Sequence, residues 1–506
     1  MEGLKKLLAS LDDALLGGMR RGIEKESLRA RPDGFLALTP HSEALGSPLT
    51  HPHITTDFSE SQLELITGAR ASVDEMLEEL AHIHQAVYRA IDNEILWGGS
   101  MPCGLPPDDE IPLGRYGSSN VGRAKTVYRM GLGYRYGRRM QTISGIHYNW
   151  SLPGRSSEEY FALVRNFRRN AWLLFYLFGA SPAVCETFVK GHPQHGLQPL
   201  APGTLYLPHA TSLRMGRLGY QSDAQSKLAV SYNSLAQYGA SLYDALVTPY
   251  PPYEKIGLRD EKGEYRQLST SLLQIENEFY GKIRPKRTIL PGERPLHALR
   301  DRGVEYVEVR LMDLDPFSPV GITAPVCRFL DVFLLHCLLM PSAPDSPAEI
   351  AAVNRNQDRV AARGREPGLA LQRGDREIAL KEWGEQLVAE CQPIAERLDA
   401  VFRGAAYRDA VAAASAALAD PESVPSARVL HAMQRNHGGS YLRFALAESL
   451  LHRASLAGTP LAPDVARMFE DLARASLAEQ RDLEASDRVD FETWRREYLD
   501  PANLKI

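Results

Sequence analysis

Cysteine is scarce in this sequence, which has five in 506 residues. They are widely spaced, and no two of them form a CxxC pair. The odd number and the spacing argue against a disulfide framework and against a structural zinc site, and they favour a reducing compartment. We therefore expect a cytoplasmic protein. The five residues are Cys103, Cys185, Cys327, Cys337 and Cys391.

Long hydrophobic runs are also missing. The longest apolar stretch, AWLLFYLFGA at 171–180, is too short to cross a bilayer and indicates a buried helix. The N-terminal pattern MEGLKKLLASLDDALL carries acids inside an amphipathic repeat, unlike a signal peptide. These features predict a protein without a membrane partner.

The familiar motifs of nucleotide binding and hydrolysis are absent. GxxxxGK[ST], GxSxG and HExxH do not occur, and GLGYRYG at 131–137 misses GxGxxG by one residue. The formal net charge of −5 gives no general attraction to nucleic acid or to an anionic membrane. Any nucleotide would have to bind through another scaffold.

The pattern of the chain changes along its length. Ser72 and Glu75 form a capping pattern ahead of an apolar stripe, which predicts a helix over 72–91. Residues 95–155 show little helical periodicity, and we expect loops and strands there. Further predicted elements are a helical segment at 157–180, strands at 144–151 and 303–312, and almost continuous helix beyond 342.

This arrangement predicts one catalytic unit, 1–506, without internal repeats. Its active-site strands and loops are expected within 20–320, because the chemically distinctive residues lie there. Residues 342–506 are expected to be a helical supporting region.

Acidic residues occur in three strand-like stretches. In GIEKESLRA (22–30), Glu24 and Glu26 share one face because strand side chains alternate. That face is either solvated, as is common on an antiparallel strand, or it holds something positive. The other stretches are ITTDFSESQLELITG (54–68), with Asp57, Glu60 and Glu64, and VEYVEVRLMDLDP (304–316), where Tyr306, Glu308 and Arg310 share a face.

A long segment without acids lies between these stretches. From Ile111 to Ser157 there is no Asp or Glu, although the whole chain is net acidic. Arginine forks hold carboxylates and phosphates at two points, so this segment predicts an anion site. Its basic and tyrosine residues are Arg115, Arg123, Lys125, Arg129, Arg135, Arg138, Arg139 and Arg155, with Tyr116, Tyr128, Tyr134, Tyr136 and Tyr148.

Acidic strands and a basic segment together suit a nucleotide-phosphate site. Mg²⁺ prefers oxygen ligands, and phosphoryl transfer requires its negative charge to be neutralised. Nucleic-acid binding is the competing interpretation of the Tyr/Arg segment. It is disfavoured by the acidic remainder of the chain and by the lack of RRM, KH or zinc-finger patterns.

His147 lies in SGIHYNWSLP (144–153), a predicted strand that places it on the same face as Asn149. Its spacing alone leaves two interpretations open. His147 is either a polar side chain with its hydrogen bonds satisfied or a metal ligand.

Seven segments in this order resemble the proteobacterial-type glutamate–cysteine ligase (γ-glutamylcysteine synthetase) family. They run from residue 22 to about 318 and include the acidic stretches described above. The segments are GIEKESLR, ITTDFSESQLELITG, LWGGSMPC, YGSSNVGRAKTVYRMGLGYRYGRRMQTISGIHYNWSLP, LPHATSLRMGRLGYQS, IENEFYGKIRPKR and VEYVEVRLMDLDPFSP.

The resemblance implies an α+β fold. A curved antiparallel sheet is expected to form a funnel like the catalytic sheet of glutamine synthetase, with helices around it and a largely helical C-terminal region. It also implies a reaction in which ATP phosphorylates the γ-carboxylate of L-glutamate. The amine of L-cysteine then displaces phosphate, giving γ-glutamylcysteine, ADP and phosphate, the first step of glutathione biosynthesis.

The resemblance also implies roles for residues of this sequence. Two or three Mg²⁺ ions, or Mn²⁺, would be held inside the funnel, and His147 is an unusual ligand for magnesium. Arg310 and Asp57 are the predicted catalytic residues, Arg310 beside the transferring phosphoryl group. The predicted metal ligands are Glu24, Glu26, Asp57, Glu64, His147 and Glu308. The predicted substrate-binding residues are Tyr128, Arg129, Tyr238 and Tyr280.

Apolar contacts discriminate poorly between small side chains, by about 1–3 kcal/mol per methylene, so cysteine analogues are expected to react. Cys103 is expected to be structural, because acyl phosphate chemistry needs no thioester. Glutathione is the expected feedback inhibitor and the chain is expected to be a monomer. Two alternatives remain: another carboxylate–amine ligase on the same scaffold, and a nonenzymatic nucleotide or RNA binder.

Overall fold

A computed structural model of the chain describes residues 4, 7–8, 10–191, 194–219, 223–226, 228–290 and 292–504. Its largest sheet has the strand order β2-β3-β1-β5-β10-β9, with β4 beside β1, and every pairing in it is antiparallel. The strands are β1 (Arg20–Ala30), β2 (Ile54–Thr56), β3 (Gln62–Ile66), β4 (Ile95–Leu96), β5 (Gly145–Ser151), β6 (Ala183–Cys185), β7 (Gln198–Ala201), β8 (Thr204–Tyr206), β9 (Ile283–Lys286), β10 (Tyr306–Asp313), β11 (Ala370–Arg373) and β12 (Arg376–Ala379).

Helices cover one face of the sheet and make up most of the C-terminal region, as predicted. The helices are α1 (Asp13–Gly17), α2 (Val73–Ala90), α3 (Asn120–Tyr136), α4 (Ser157–Asn170), α5 (Trp172–Phe178), α6 (Asp223–Ser226), α7 (Leu235–Val247), α8 (Pro251–Ile256), α9 (Pro295–Arg302), α10 (Ala324–Leu339), α11 (Pro347–Arg363), α12 (Leu380–Phe402), α13 (Ala406–Ala419), α14 (Pro425–Asn436), α15 (Tyr441–Gly458), α16 (Pro463–Ser486) and α17 (Phe491–Tyr498). None of these described helices is long and apolar enough to span a bilayer.

The sheet is open, because its strand order is linear and the described parts of β2 and β9 lie at opposite ends. The predicted strands at 144–151 and 303–312 correspond to β5 and β10. The mixed fold with an antiparallel sheet is therefore confirmed. The likeness to the sheet of glutamine synthetase remains a prediction.

The two faces of β1 differ as the alternation predicts. Ile23 is fully buried in the main hydrophobic core. Lys25, on the same face, is also buried, and its Nζ lies 2.8 Å from Nε2 of His84 on α2. Glu24 and Glu26 point to the opposite face. The sheet thus separates a packed core from a face that carries carboxylates.

A buried ion pair fixes the sheet to the helices behind it. Arg21 of β1 lies 3.0 Å from Asp331 of α10, and both side chains are fully buried. The hydroxyl of Tyr148 on β5 donates to Asp331 at 2.8 Å, and Tyr407 of α13 donates to it at 3.2 Å. Because an unpaired buried charge is costly, these four side chains hold two strands and two helices together.

Helix α3 contradicts the expectation of loops and strands across 95–155. It begins after Ser119, whose hydroxyl accepts a hydrogen bond from the Gly122 amide, and it buries few apolar side chains. The helix lacks an apolar stripe because one of its faces lines a polar cavity instead of the core. The hairpin of β11 and β12 likewise interrupts the helical region predicted beyond 342.

The prediction that no disulfide framework exists is wrong for one pair of cysteines. Cys103 and Cys185 form a disulfide across a sequence separation of 82 residues. The fold brings them together because the loop after β4 packs against β6 in a second hydrophobic cluster. Spacing along the chain carries no information about such a distant pair. Cys327, Cys337 and Cys391 are buried free thiols.

Candidate active site

Three of the predicted metal ligands lie together on the face of the sheet that is turned away from the main hydrophobic core. Glu24 is opposite His147 in the pairing of β1 with β5, and Glu64 is opposite Glu26 in the pairing of β1 with β3. One ligand atom each from Glu24, Glu64 and His147 lies within 4.8 Å of the others. Neighbouring antiparallel strands therefore bring together residues that are far apart in sequence.

Glu26 and Glu308 flank this group. Oε2 of Glu26 accepts a hydrogen bond from the Gly145 amide at 2.7 Å, and its Oε1 lies 3.5 Å from Nε2 of His147. Nδ1 of His147 lies 3.1 Å from Glu24 and 3.9 Å from Glu308. His147 thus stands at the centre of three carboxylates.

Asp57 lies in the turn between β2 and β3, and it lines the cavity over this face of the sheet. Its amide donates to the Gln62 carbonyl at 3.0 Å, and its own carbonyl accepts hydrogen bonds from Nε of Arg129 and from the Tyr116 hydroxyl. These bonds fix the turn, so the carboxylate of Asp57 is presented from a rigid backbone.

The crowded acids have altered pKa values. Burial, with the charge of Asp57, raises the pKa of Glu26 to about 8. Burial and the charges of Glu24, Asp57 and Glu26 raise the pKa of Glu64 well above its usual range. For Glu308, burial is outweighed by Lys286, Arg310 and other cations, which hold its pKa well below the ordinary value. Without further positive charge, this cluster of carboxylates favours a partly protonated state.

The donor set fits divalent cations. Nε2 of His147 and Oδ1 of Asn149 are buried without a hydrogen-bond partner among the described residues. Burial and the charge of Arg310 lower the pKa of His147, which keeps its imidazole neutral and able to coordinate. A bound cation stabilises the ionised form most for carboxylates whose pKa is raised by mutual repulsion.

A cavity of about 640 Å³ lies over this face of the sheet. Its acidic floor has a cationic group at either side. On the β9–β10 side, Glu308 lies 3.2 Å from Lys286, 3.1 Å from Arg310 and 3.9 Å from Arg284. On the α3 side, the cavity is lined by Lys125 and Arg129. Both sides can therefore attract anionic groups of a ligand toward the acids.

The C-terminal helix α17 forms part of the cavity wall. Trp494 and Tyr498 line it, and their rings stack with centroids 4.7 Å apart. Arg294 lies over the Tyr498 ring at 4.9 Å and donates to the Tyr498 carbonyl at 2.9 Å. The helical region after 342 thus contributes directly to the site.

The four predicted substrate-binding residues have different positions. Tyr128 and Tyr280 line the cavity, and the Tyr280 hydroxyl accepts a hydrogen bond from Gln141 at 2.8 Å. Tyr238 is buried in the main core, where its ring lies 5.3 Å from that of Tyr232, and it is not among the described residues that line the cavity. The structure brings two of the three tyrosines to the site.

Arg129 lines the cavity, but backbone carbonyls bind its guanidinium. Nη1 donates to the Lys125 carbonyl at 2.9 Å and Nη2 to the Thr56 carbonyl at 3.4 Å, and Nε donates to Asp57. The Arg129 side chain also lies over the Tyr116 ring at 4.4 Å. Its visible role is to join α3 to the turn that carries Asp57.

Sequence reasoning missed several residues of this site. Arg284 and Lys286 lie on β9 (Ile283–Lys286), which pairs with β10, and no strand was predicted at these residues. Alternation along that strand could have placed both on the face that carries Glu308. No local signal could have identified Trp494, which reaches the cavity through the fold of the entire chain.

Comparisons with known proteins identify the family to which the chain belongs. A family model described as glutamate-cysteine ligase matches residues 4–360. A glutamate–cysteine ligase from Saccharophagus degradans is 47% identical over 512 residues, covering 97% of this chain and 96% of the relative. One from Azotobacter vinelandii is 48% identical over 508 residues, covering 96% and 95%. The chain belongs to the glutamate–cysteine ligase family, so the resemblance noted from its motifs is confirmed.

Solved structures extend the agreement to the fold. The crystal structure of a glutamate–cysteine ligase from Francisella tularensis in complex with AMP has a TM-score of 0.91 and 37% identity, covering 96% of this chain and 98% of that one. A bifunctional glutathione synthetase from Pasteurella multocida has a TM-score of 0.71 and 25% identity, covering 91% of this chain and 57% of that one.

Proposed function

We propose that this protein joins the γ-carboxylate of L-glutamate to the amine of L-cysteine at the expense of ATP. The products are γ-glutamylcysteine, ADP and phosphate, and γ-glutamyl phosphate is the intermediate. The observation that carries the proposal is the group of carboxylates and one histidine on β1, β3, β5 and β10, with cations on both sides, in a chain of this family. Such a site can gather two anionic substrates over a shared set of metal ligands.

The acids supply the metal ligands in this proposal. Glu24, Glu64 and His147 form one group of candidate ligands, and Glu26, Asp57 and Glu308 adjoin it. Bound Mg²⁺ would neutralise the phosphate and carboxylate charges that must approach each other. We propose two or three such ions, with Mn²⁺ as a substitute.

The cations of β9 and β10 have a separate role. Arg310 and Lys286 contact Glu308 at the edge of the acidic floor, where they can hold the phosphate chain of ATP. Negative charge moves from the glutamyl oxygen to the ADP leaving group during transfer. A fixed guanidinium stabilises that charge without reorganising solvent.

The second step is attack of the cysteine amine on the acyl phosphate. Tyr128 and Tyr280 can orient this substrate from the α3 side of the cavity, and Gln141 orients the Tyr280 hydroxyl. Asp57, held by its backbone bonds, is the candidate acceptor for the proton that the amine releases. The C–N bond forms as the C–O bond to phosphate breaks, so phosphate leaves with one oxygen of the original carboxylate.

The test is phosphate release from Mg-ATP with L-glutamate alone, with L-cysteine added, and with 2-aminobutyrate as an amine without a thiol. Release that needs both amino acids, with the γ-glutamyl dipeptide identified by mass, is the expected result. Release with other amines but not with cysteine would indicate a different carboxylate–amine ligase. If no mixture released phosphate, the result would favour the alternative of a nonenzymatic nucleotide or RNA binder.

We further propose that the enzyme acts in the cytoplasm as a monomer, without nucleic-acid or membrane partners. Glutathione is the proposed feedback inhibitor, because it contains the γ-glutamylcysteine moiety and can occupy the same cavity. Inhibition by glutathione that is competitive with glutamate would support its proposed role as feedback inhibitor.

A further inference from the structure

Lys125 differs from the other cations of the cavity. Its ammonium group makes no hydrogen bond or ion pair within the described part of the chain, and its one aromatic contact is with the Tyr116 ring, 5.2 Å from Nζ to the centroid. In contrast, Lys286 lies 3.2 Å from Glu308, and Arg294 lies 2.6 Å from Glu276. Lys125 is half-buried, and an ammonium group that is partly removed from water without an anionic partner is costly unless a ligand supplies one.

The neighbouring cation, Arg129, is poorly placed to bind an anionic group of a ligand. Its guanidinium bonds the carbonyls of Thr56, Asp57 and Lys125 itself. Turning it toward a ligand would leave those carbonyls unpaired and would release the turn that carries Asp57. Of the described cations that line the α3 side of the cavity, Lys125 is therefore the one whose ammonium group can meet a ligand anion.

The position of Lys125 indicates which of the anionic substrate groups it can bind. It lies one turn before Tyr128 on α3, and the charge of Glu64 acts on it. The phosphate-binding cations proposed above, Lys286 and Arg310, surround Glu308 at the other side of the acidic floor. Because the phosphoryl group and its acceptor must approach the acids from different sides, the α3 side suits the amino-acid substrates.

We propose that Lys125 binds the α-carboxylate of an amino-acid substrate and so selects amino acids over simple amines or acids. This inference rests on the proposed ligase function. The shared chemistry is a carboxylate, which either glutamate or cysteine could supply.

The experiment compares Lys125→Met with the wild-type enzyme. Methionine keeps an unbranched apolar stem against Tyr116 and removes the charge. The KM for glutamate, cysteine and ATP is measured separately, and we expect a rise of at least about tenfold for one amino acid with the KM for ATP little changed, since charged hydrogen bonds are among the stronger ones. Lys125→Arg should recover part of the loss, and Lys255→Met, an exposed lysine on α8, is the matched control.

Substrates without the α-carboxylate identify the source of the anion. 4-Aminobutyrate replaces glutamate and cysteamine replaces cysteine. If Lys125 binds the cysteine carboxylate, the variant and the wild type should use cysteamine equally well; if it binds that of glutamate, they should use 4-aminobutyrate equally well. Either result supports the proposal.

Two results would overturn it. A rise confined to the KM for ATP would assign Lys125 to the phosphates, and unchanged KM values for all three substrates would give it no ligand. Thermal unfolding of each variant checks the fold, and Lys125→Gln replaces Lys125→Met if the latter is unstable. A wild-type enzyme that forms no dipeptide would instead refute the proposed function, so the two failures are distinguishable.

Discussion

His147 lies opposite Glu24 across β1 and β5, with Nδ1 3.1 Å from the Glu24 carboxylate, while its Nε2 is buried and finds no hydrogen-bond partner in the part of the chain that the structure describes. Glu24 thereby orients the ring, and the second nitrogen is left available. An oriented, neutral imidazole beside several carboxylates is the arrangement of a metal ligand. This arrangement favours the metal-ligand interpretation of His147 over that of a polar side chain with satisfied hydrogen bonds.

Replacement of His147 should weaken metal binding more than it weakens the fold. We expect His147→Gln to lower Mn²⁺ affinity by at least about tenfold, in the range known for ligand and ligand-orienting residues. Titration monitored by Mn²⁺ electron paramagnetic resonance measures it. His82→Gln, on α2 outside the cavity, serves as the control. Equal Mn²⁺ affinity in both variants would contradict the assignment.

Glu308→Gln should abolish ligation and leave the protein folded. Glu308 is buried near Lys286, Arg310 and Arg284, so loss of its charge removes a carboxylate that all three cations approach and also removes a candidate metal ligand. Dipeptide formation measured by mass, with circular dichroism for the fold, tests this. Glu26→Gln should likewise abolish ligation and leave the protein folded. Near-normal turnover in either variant would show that the metal-ligand assignment is wrong.

The stability of the metal-free protein should fall as pH rises. Glu26 has a pKa of about 8 in the fold, above the ordinary 4.5, because of burial and the charge of Asp57. The folded state therefore binds a proton that the unfolded chain releases. This contribution is complete below pH 4.5 and is lost as pH rises toward 8. Thermal unfolding in a chelator, measured from about pH 5.5 to about pH 8.5, gives the slope.

Glu26→Gln provides the comparison for this pH dependence. The amide cannot ionise, so the variant should lose less stability over the same pH range. Mg²⁺ should also flatten the wild-type slope, because cation binding favours the ionised acid. Identical slopes for the variant and the wild type would show that Glu26 does not titrate in this range.

The disulfide between Cys103 and Cys185 should contribute to stability without taking part in catalysis. Cross-links of long loops typically contribute about 2–4 kcal/mol. We expect Cys185→Ser to lower the free energy of unfolding by about that amount and to retain turnover. Denaturant unfolding measures it, and peptide mapping without reductant identifies the bond. Finding both thiols free in the oxidised protein would contradict the pairing.

Removal of α17 should impair activity although it lies at the far end of the chain. Trp494 and Tyr498 form part of the cavity wall, and Arg294 is bound to the Tyr498 carbonyl. A chain ending at Ser486 should show a higher KM for at least one substrate. Trp494→Ala should reproduce part of this change, whereas Met468→Ala, an exposed residue of α16, should not. Unchanged KM values in the shortened chain would show that the wall is dispensable.

The sequence predicted the acidic face well because strand alternation is a local rule. Glu24 and Glu26, and Glu308 with Arg310, are placed correctly by a period of two, and the family resemblance added Asp57, Glu64 and His147. Local rules failed for α3, whose polar face borders the cavity. They could not join Cys103 to Cys185 or bring Trp494 to the site, because these contacts depend on how distant segments pack. The proposed role of Lys125 depends on the hydrogen-bond partners of Arg129, which the sequence does not reveal.

The most direct test of the account follows an oxygen atom. The enzyme is incubated with Mg-ATP, L-cysteine and L-glutamate labelled with ¹⁸O in the γ-carboxylate, and the phosphate and dipeptide are analysed by mass. Transfer through γ-glutamyl phosphate predicts one labelled oxygen in each phosphate for each γ-glutamylcysteine formed. Dipeptide formation with unlabelled phosphate, or with AMP and pyrophosphate as products, would contradict the mechanism.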